Sequence, residues 1–213
     1  MPTSSTISGT VVTGATTRAD YCTWAQVKTY LSITGVGDDV FGATLVTRAC
    51  AEIDTHCRRQ FTPTTETRTY DVPPGVTLWL DKDLLSVTTL TNGDGVLIVP
   101  ASYVLLPTNA TPKQAIRLRD LATITWASSS SLGSEQVISL VGSWGYASTV
   151  PGAILAAAVR TTAWLYKQRD APFGMTARPE IGMVEVPTEL PVDVKAILAP
   201  YVKKRITGLS YAS

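Results

Sequence analysis

The chain has 213 residues, and 45% of them are hydrophobic, enough for a real core and against wholesale disorder. Eighteen Lys and Arg against 17 Asp and Glu leave a net charge of +1, which argues against a dedicated nucleic-acid binder with a basic face. No apolar run reaches the roughly 18 residues of a membrane span. Met1-Pro2-Thr3-Ser4-Ser5 also lacks the basic and apolar regions of a signal peptide. The expectation is a soluble protein made in a cytoplasm, with one domain and room for an insertion.

Residues 1–20 are rich in Ser, Thr and Gly, with Ile7, Val11 and Val12 as the apolar points, and read as a flexible N-terminal tail. Thr23, with Gln26 three residues on, has the spacing of a capping box. It predicts a helix from Trp24 to Leu31 with Trp24, Val27 and Leu31 on one face. Gly35 and Gly37 break it, and Asp38 or Asp39 can cap the next helix, Val40 to Gln60. There Phe41, Leu45, Ala49, Ile53 and Cys57 recur at i+4, with Val46 and Cys50 widening the stripe. Arg58 and Arg59 suit the negative end of that helix.

Beyond Phe61 the period becomes alternating. Short strands are predicted at 67–72, 76–80, 84–90, 96–99, 103–106, 115–118, 123–126 and 137–141, with Asn92-Gly93-Asp94-Gly95 as a turn and Ser128 to Ser131 as a loop tip. Pro151 then opens a third, Ala-rich helix with Ile154, Leu155, Ala158, Thr162, Leu165 and Tyr166 on one face. Residues 171–190 carry Pro172, Pro179 and Pro187 with Gly174 and Gly182, the composition of an extended connector. Its Phe173, Met175, Ile181 and Met183 are candidates for inter-subunit contact, adaptable methionines suiting such surfaces. A last helix opens at Pro191, carries Val194, Ile197, Leu198 and Tyr201 on one stripe, and is interrupted at Pro200.

The fold class expected is α+β, mainly an α-helical bundle of about four helices with an inserted antiparallel β-sheet or hairpin element. The parts expected are the tail (1–20), a helical core (21–170) with the β insertion at about 65–147, the connector (171–190), and a C-terminal helix and tail (191–213).

Little in the chain points to chemistry. His56 is the only histidine and sits mid-helix, no nucleophile-elbow sequence occurs, and neither GxxxxGK[ST] nor GxGxxG is present. Asp81-Lys82-Asp83 reads as a turn with too few ligands for calcium. Cys22, Cys50 and Cys57 form an odd set without a CxxC pair, which fits a reducing compartment. Cys50 and Cys57 share a helix face beside His56, so a metal site is conceivable, but a further ligand is missing and burial as small hydrophobes outweighs it. No catalytic residue, cofactor or metal ligand is assigned, and no enzyme is expected. A small metal-dependent enzyme built on Cys50, His56 and Cys57 stays as a minor alternative.

Several segments occur in a distinctive order. Trp24-Ala25-Gln26-Val27-Lys28-Thr29-Tyr30-Leu31 is followed by Ala51-Glu52-Ile53-Asp54 and Cys57-Arg58-Arg59-Gln60-Phe61. A β region then ends in Gly145-Tyr146 and leads into Val150-Pro151 and the helix closing on Tyr166-Lys167-Gln168-Arg169-Asp170. Leu190-Pro191-Val192-Asp193 runs on to Ala199-Pro200-Tyr201. In this order the chain resembles the head–tail connector (adaptor, head-completion) proteins of tailed bacteriophages, of the gp6-like or gp15-like kind. The resemblance implies a structural virion protein of the neck, assembled in the host cytoplasm. It implies a homo-oligomeric ring, typically of 12 copies, beneath the portal. The ring prolongs the DNA channel, touches passing DNA without sequence preference, and docks the next neck or tail-completion protein. It places portal contacts in the C-terminal segment, here Asp193, Lys195, Tyr201, Lys203, Lys204 and Arg205. The long β region and the added N-terminal tail depart from the family's plan. A tail-completion or capsid-decorating protein of a phage, with the β region as its contact face, is the alternative.

Overall fold

A computed structural model describes residues 10–12, 18–121, 123–169, 175–178, 182–185 and 189–203, with backbone only in 10–12, 175–178 and 182–185. The chain divides into two compact units. A helical unit takes residues 20–59 and 150–213, and a sheet unit takes 1–19 and 60–149.

The helical unit holds α1 (Trp24–Leu31), α2 (Asp39–Cys57), α3 (Gly152–Gln168) and α4 (Val192–Leu198), the last continued by a 3-10 turn over Ala199–Tyr201. The Thr23 capping box forms: its Oγ1 accepts from the Gln26 amide at 3.3 Å, and Gln26 Oε1 accepts from the Thr23 amide at 2.8 Å. Two of the unit's free backbone donors are thereby satisfied. In α2 the stripe at i+4 is the buried one, with Leu45, Val46, Ala49, Cys50, Ile53 and Cys57 inside, while Phe41 stays 41% exposed. Gly42 is part of the same face because a β-carbon there would stand 2.1 Å from Cε2 of Trp24, so the indole packs flat on the helix backbone. Helix α2 ends at Arg58, which takes the left-handed conformation (φ 53°) that glycine usually supplies. Helix α3 is central and packs against α1, α2 and α4. Its buried face is wide (Ile154, Ala157, Ala158, Val159, Thr161, Thr162, Ala163 and Leu165), and its alanines let neighbours approach. Pro200 confines α4 to seven residues and turns the chain into the 3-10 segment.

The sheet unit is an antiparallel sheet in the order β1-β2-β6-β3-β5-β4. Its strands are β1 (Thr10–Val12), β2 (Thr64–Tyr70), β3 (Thr77–Thr91), β4 (Tyr103–Leu106), β5 (Lys113–Leu118) and β6 (Ile138–Trp144). It encloses its own core, including Tyr70, Leu78, Leu84, Leu90, Ile116, Ile138, Leu140 and Trp144. The fold is therefore not a mainly helical bundle with a β insertion. The sheet is a major element with a core independent of the helices, and the helix-led expectation is overturned. A six-stranded sheet with a buried cluster of its own is more than an inserted hairpin, which is marginally stable by itself.

The pairing also corrects individual strands. The two strands expected at 76–80 and 84–90 are one 15-residue strand, β3, whose first half pairs with β5 and second half with β6. Register shifts between Trp79 and Leu84, and again between Leu84 and Ser86 and between Val87 and Thr89, bend it from one partner to the next. Asp81, Lys82 and Asp83 consequently lie within this strand and not in a turn. Gly142 on β6 makes the bend possible, since a β-carbon there would be 2.4 Å from the Ser86 carbonyl oxygen. The stretches expected as strands at 96–99 and 123–126 pair only through a single bridge, Thr91 to Leu97. Backbone bonds hold the first, Asn92 N–H donating to the Val96 carbonyl at 2.9 Å and Ile98 N–H to the Leu90 carbonyl at 2.8 Å. Side-chain bonds hold the second: Asn92 Nδ2 donates to the Thr125 carbonyl at 2.8 Å, and Asn92 Oδ1 accepts from the Ala127 amide at 3.0 Å. Within the N-terminal stretch expected to be a tail, Thr10–Val12 pairs antiparallel with Thr67–Thr69 at the edge of β2.

Residues Met175–Arg178 (β7) and Gly182–Glu185 (β8) form a separate two-stranded antiparallel sheet in the stretch expected to be an extended connector. No described helix is long and apolar enough to cross a membrane.

Candidate assembly surfaces

The inner face of β2 is polar where a core would ordinarily be apolar. Thr64, Glu66, Arg68 and Tyr70 alternate inward and are all buried. Glu66 is held by Lys82 Nζ at 2.7 Å, Thr64 Oγ1 at 2.8 Å and Arg68 Nη1 at 3.4 Å. Arg68 Nη2 reaches Asp81 at 2.9 Å, and Tyr70 Oη donates to the other Asp81 oxygen at 2.8 Å. Trp144 closes the group: its Nε1 donates to the Glu66 carbonyl at 3.1 Å, and the Arg68 guanidinium lies 5.4 Å from its ring centroid. Burial pushes the Glu66 carboxyl up, but the donors from Lys82 and Thr64 and the charge of Arg68 outweigh it and hold it below the usual range. Such a set locks strands in register, with Arg68 Nε left buried without a hydrogen-bond partner. Sequence reading missed it because the alternation of β2 hides polar residues inside.

The Tyr-x-x-Arg of α3 has a structural role. Tyr166 Oη donates to Asp38 Oδ2 at 2.6 Å and Arg169 Nη1 to Asp38 Oδ1 at 2.9 Å, so one carboxylate at the start of α2 collects both. Arg169 also covers the Tyr166 and Phe41 rings at 5.0 and 5.9 Å. The Tyr166 hydrogen bond, with help from Arg169, holds the Asp38 carboxyl below its ordinary value. A carboxyl depressed in the folded state stabilises the fold above its unfolded value of about 3.9, and that support is lost as pH falls through the folded value. Tyr166→Phe removes the leading cause, so the acid limb of Tm against pH, below about pH 4, is expected to flatten relative to the unaltered chain.

The cysteines are packing residues. All three are buried and reduced, and Tyr21 N–H donates to Cys50 Sγ at 3.3 Å. Burial, then the neighbouring Cys50, pushes the Cys22 thiol up to about 12, and burial does the same to Cys57, to about 11. Among the described residues no three His, Cys, Asp or Glu side chains gather as a metal site. All three thiols are expected to stay silent to Ellman's reagent at pH 8 until the protein unfolds; fast labelling of any one in the folded protein would contradict this packing.

The C-terminal candidates meet on the helical unit. Asp193 pairs with Arg160 at 2.9 Å, and Lys195 pairs with Glu189. Lys195 and Glu189, with Leu190, form one wall of a groove whose other wall is the α2 face Arg48, Ala51, Glu52, Thr55 and His56. The groove is shallow and carries charges of both signs. Tyr201 lies in the 3-10 turn, and the Lys203 amide donates to the Cys57 carbonyl at 2.9 Å, tying the segment to the end of α2. Met175 faces Glu185 across the β7–β8 ladder, and Met183 faces Ala177. Lys204, Arg205, Phe173 and Ile181 lie outside the described residues.

No protein-family model and no curated protein matches the sequence. Solved structures do. The chain shares its fold with components of gene transfer agent particles. One is from the neck of an empty gene transfer agent particle determined with C6 symmetry, at TM-score 0.55 and 16% identity over 87% of this chain and 91% of that one. A second, from the virion of a native gene transfer agent particle, gives 0.55 and 17% over the same shares. A third, from the neck of the native particle determined with C12 symmetry, gives 0.52 and 13% over 86% and 90%. The likeness spans both units, so the long β region that departs from the connector plan belongs to the shared fold. It does not single out the gp6-like or gp15-like kind.

Proposed function

We propose that this chain is a structural neck protein of a phage-like particle: a head–tail adaptor that assembles as a ring of 12 copies beneath the portal vertex, extends the DNA channel and docks the next neck or tail-completion protein. The observation that carries this is the fold shared, over 86–87% of the chain, with components of particle necks determined in C6 and C12 symmetry. Its place is the virion neck, with assembly in the host cytoplasm, and its role is structural and not enzymatic. The near-neutral net charge suits a channel through which DNA slides, because dense phosphate contacts would hold it.

The portal-facing surface in this reading is the C-terminal segment, Asp193, Lys195, Tyr201 and Lys203 with Lys204 and Arg205 beyond. The α2 groove beside Lys195 supports a polypeptide partner there. Phe173, Met175, Ile181 and Met183 are assigned to contact between neighbouring copies. A lone two-stranded hairpin is marginally stable in water, so β7–β8 gains from a third strand or a covering surface on the next copy.

The test is light-scattering mass of the purified chain, alone and mixed with its cognate portal ring. A portal complex carrying many copies is expected. No association at any salt concentration would favour a tail-completion or capsid-decorating protein, a reading in which the sheet unit, with its exposed Val76, Val99 and Leu121, makes the contact.

A further inference from the structure

Helix α2 meets α3 through Leu45 and Ala49 against Leu165. Ala43, Thr47 and Ala51 stand two residues before the Leu45, Ala49, Ile53 series, which turns them about 200° around the helix, away from α3. This outward face is unlike an ordinary solvated helix. It begins at Val40, 86% exposed, beside Val36 at 75%, and continues through exposed Ala43, Thr44, Thr47 and Ala51. Asp20 and Asp39 stand at its margin, with Arg48 the single cation in its lining.

The opposite side of the α2–α3 pair carries a second such surface. Arg160 and Lys167, five residues before and two after Leu165, turn about 140–200° away from the α2 contact. With Tyr30, Trp164 and Pro191 they line a groove between α1, α3 and the start of α4. Tyr30 is 56% exposed and Val192, the first residue of α4, is 84% exposed. The charges in this lining are Arg160, Lys167 and Asp193, one positive in sum, whereas those of the α2 face, Asp20, Asp39 and Arg48, are one negative in sum.

We infer that these two faces are complementary halves of one contact, the α2 face of each copy seating in the α1–α3–α4 groove of the next. The inference rests on the adaptor reading above and supplies its ring contact. Two different patches on opposite sides of one unit, of opposite charge, generate a head-to-tail interface, and a head-to-tail interface that closes makes a ring. A self-complementary patch would instead pair two copies and stop. The small residues of α2 admit close approach of the neighbour's exposed Tyr30, and the opposed charges set its direction.

Two variants test this. Ala43→Arg with Thr44→Arg blocks the α2 face at exposed positions outside the Lys195 groove, where arginine keeps the helix propensity; Val40→Arg is the second variant of that face should the pair fold poorly. Lys167→Glu with Val192→Asp reverses the groove, and an acidic residue suits the first turn of α4. Circular dichroism and melting are expected to match the unaltered chain. Each variant alone is expected to remain monomeric where the unaltered chain assembles, free or on the portal ring. An equimolar mixture is expected to give a heterodimer of twice the 22.7 kDa chain mass, because one intact half remains on each copy. If both variants assemble as the unaltered chain does, or if the mixture gives no heterodimer, the head-to-tail contact is wrong and the adaptor reading stands. If the unaltered chain fails to assemble even on the portal, the adaptor reading falls and this contact with it.

Discussion

Trp144→Ala is expected to cost the sheet unit about 3–5 kcal/mol, the range for emptying a large aromatic site in a core. The residue is fully buried at the end of β6, where its backbone pairs with Thr64 of β2 and Leu84 of β3. Three interactions go with it: the Nε1 bond to the Glu66 carbonyl, the face under Arg68, and the tilted packing on Tyr70 at 6.5 Å. The loss therefore combines a cavity with an orphaned buried carbonyl and an uncovered guanidinium. Urea titration should show a lower midpoint, and hydrogen exchange in peptides from β2 and β6 should speed up by several orders of magnitude. Trp144→Phe keeps most of the volume and should lose distinctly less. Equal losses in the two variants would mean that the indole N–H and not the packing dominates.

Arg68→Ala is expected to cost about 3 kcal/mol, the lower end for breaking a buried ion pair by removing one partner. Its side chain is 9% exposed and Glu66 is 6% exposed, so the deserted carboxylate cannot be rehydrated freely. Lys82 still holds Glu66, and Asp81, at 30%, can reach water, which keeps the figure from rising further. The sign with pH follows from Glu66, whose carboxyl is held low in the folded state. Its contribution is present at neutral pH and is lost as acid protonates it. The difference in unfolding free energy between Arg68→Ala and the unaltered chain, measured by urea titration, should therefore shrink toward pH 3. Adding Glu66→Gln to Arg68→Ala should recover part of the loss at pH 7, because the deeply buried carboxylate is neutralised while Lys82, at 25% exposure, can turn toward water. A penalty that stays constant with pH would assign the effect to lost packing of the arginine stem.

Both effects fall in the part of the molecule where the chain is hardest to read. The helices were legible: Thr23 with Gln26, the i+4 apolar series of α2 and Pro151 before α3 are local signals, and local hydrogen bonding and burial obey them. The strands were legible in existence more than in extent. Asp81-Lys82-Asp83 interrupts an apolar pattern and so reads as a turn, but the three residues continue β3 because Arg68, Tyr70 and Glu66 on another strand receive Asp81 and Lys82. The helix-led fold class failed for the same reason. A core made by pairing Thr64–Tyr70 with Ile138–Trp144, some 70–80 residues apart, has no local period to announce it. Of the candidate contact residues, the sequence could point to α4 and to the connector, whereas the outward face of α2 and the Tyr30–Lys167 groove needed the packing of α2 on α3 to become visible.

By itself the sequence determined the propensities: where helices start, which of their faces go inside, that the cysteines pack, and that no recognisable catalytic pattern is spelled out. Those follow from short-range capping, periodicity and residue type. Only the tertiary structure decided that the β region is a unit with its own core, that Asp38 gathers Tyr166 and Arg169 from 128 and 131 residues away, and which helix faces stay exposed. Long-range pairing chooses among partners that are equivalent locally, and the choice is made by the burial and charge compensation of the whole fold.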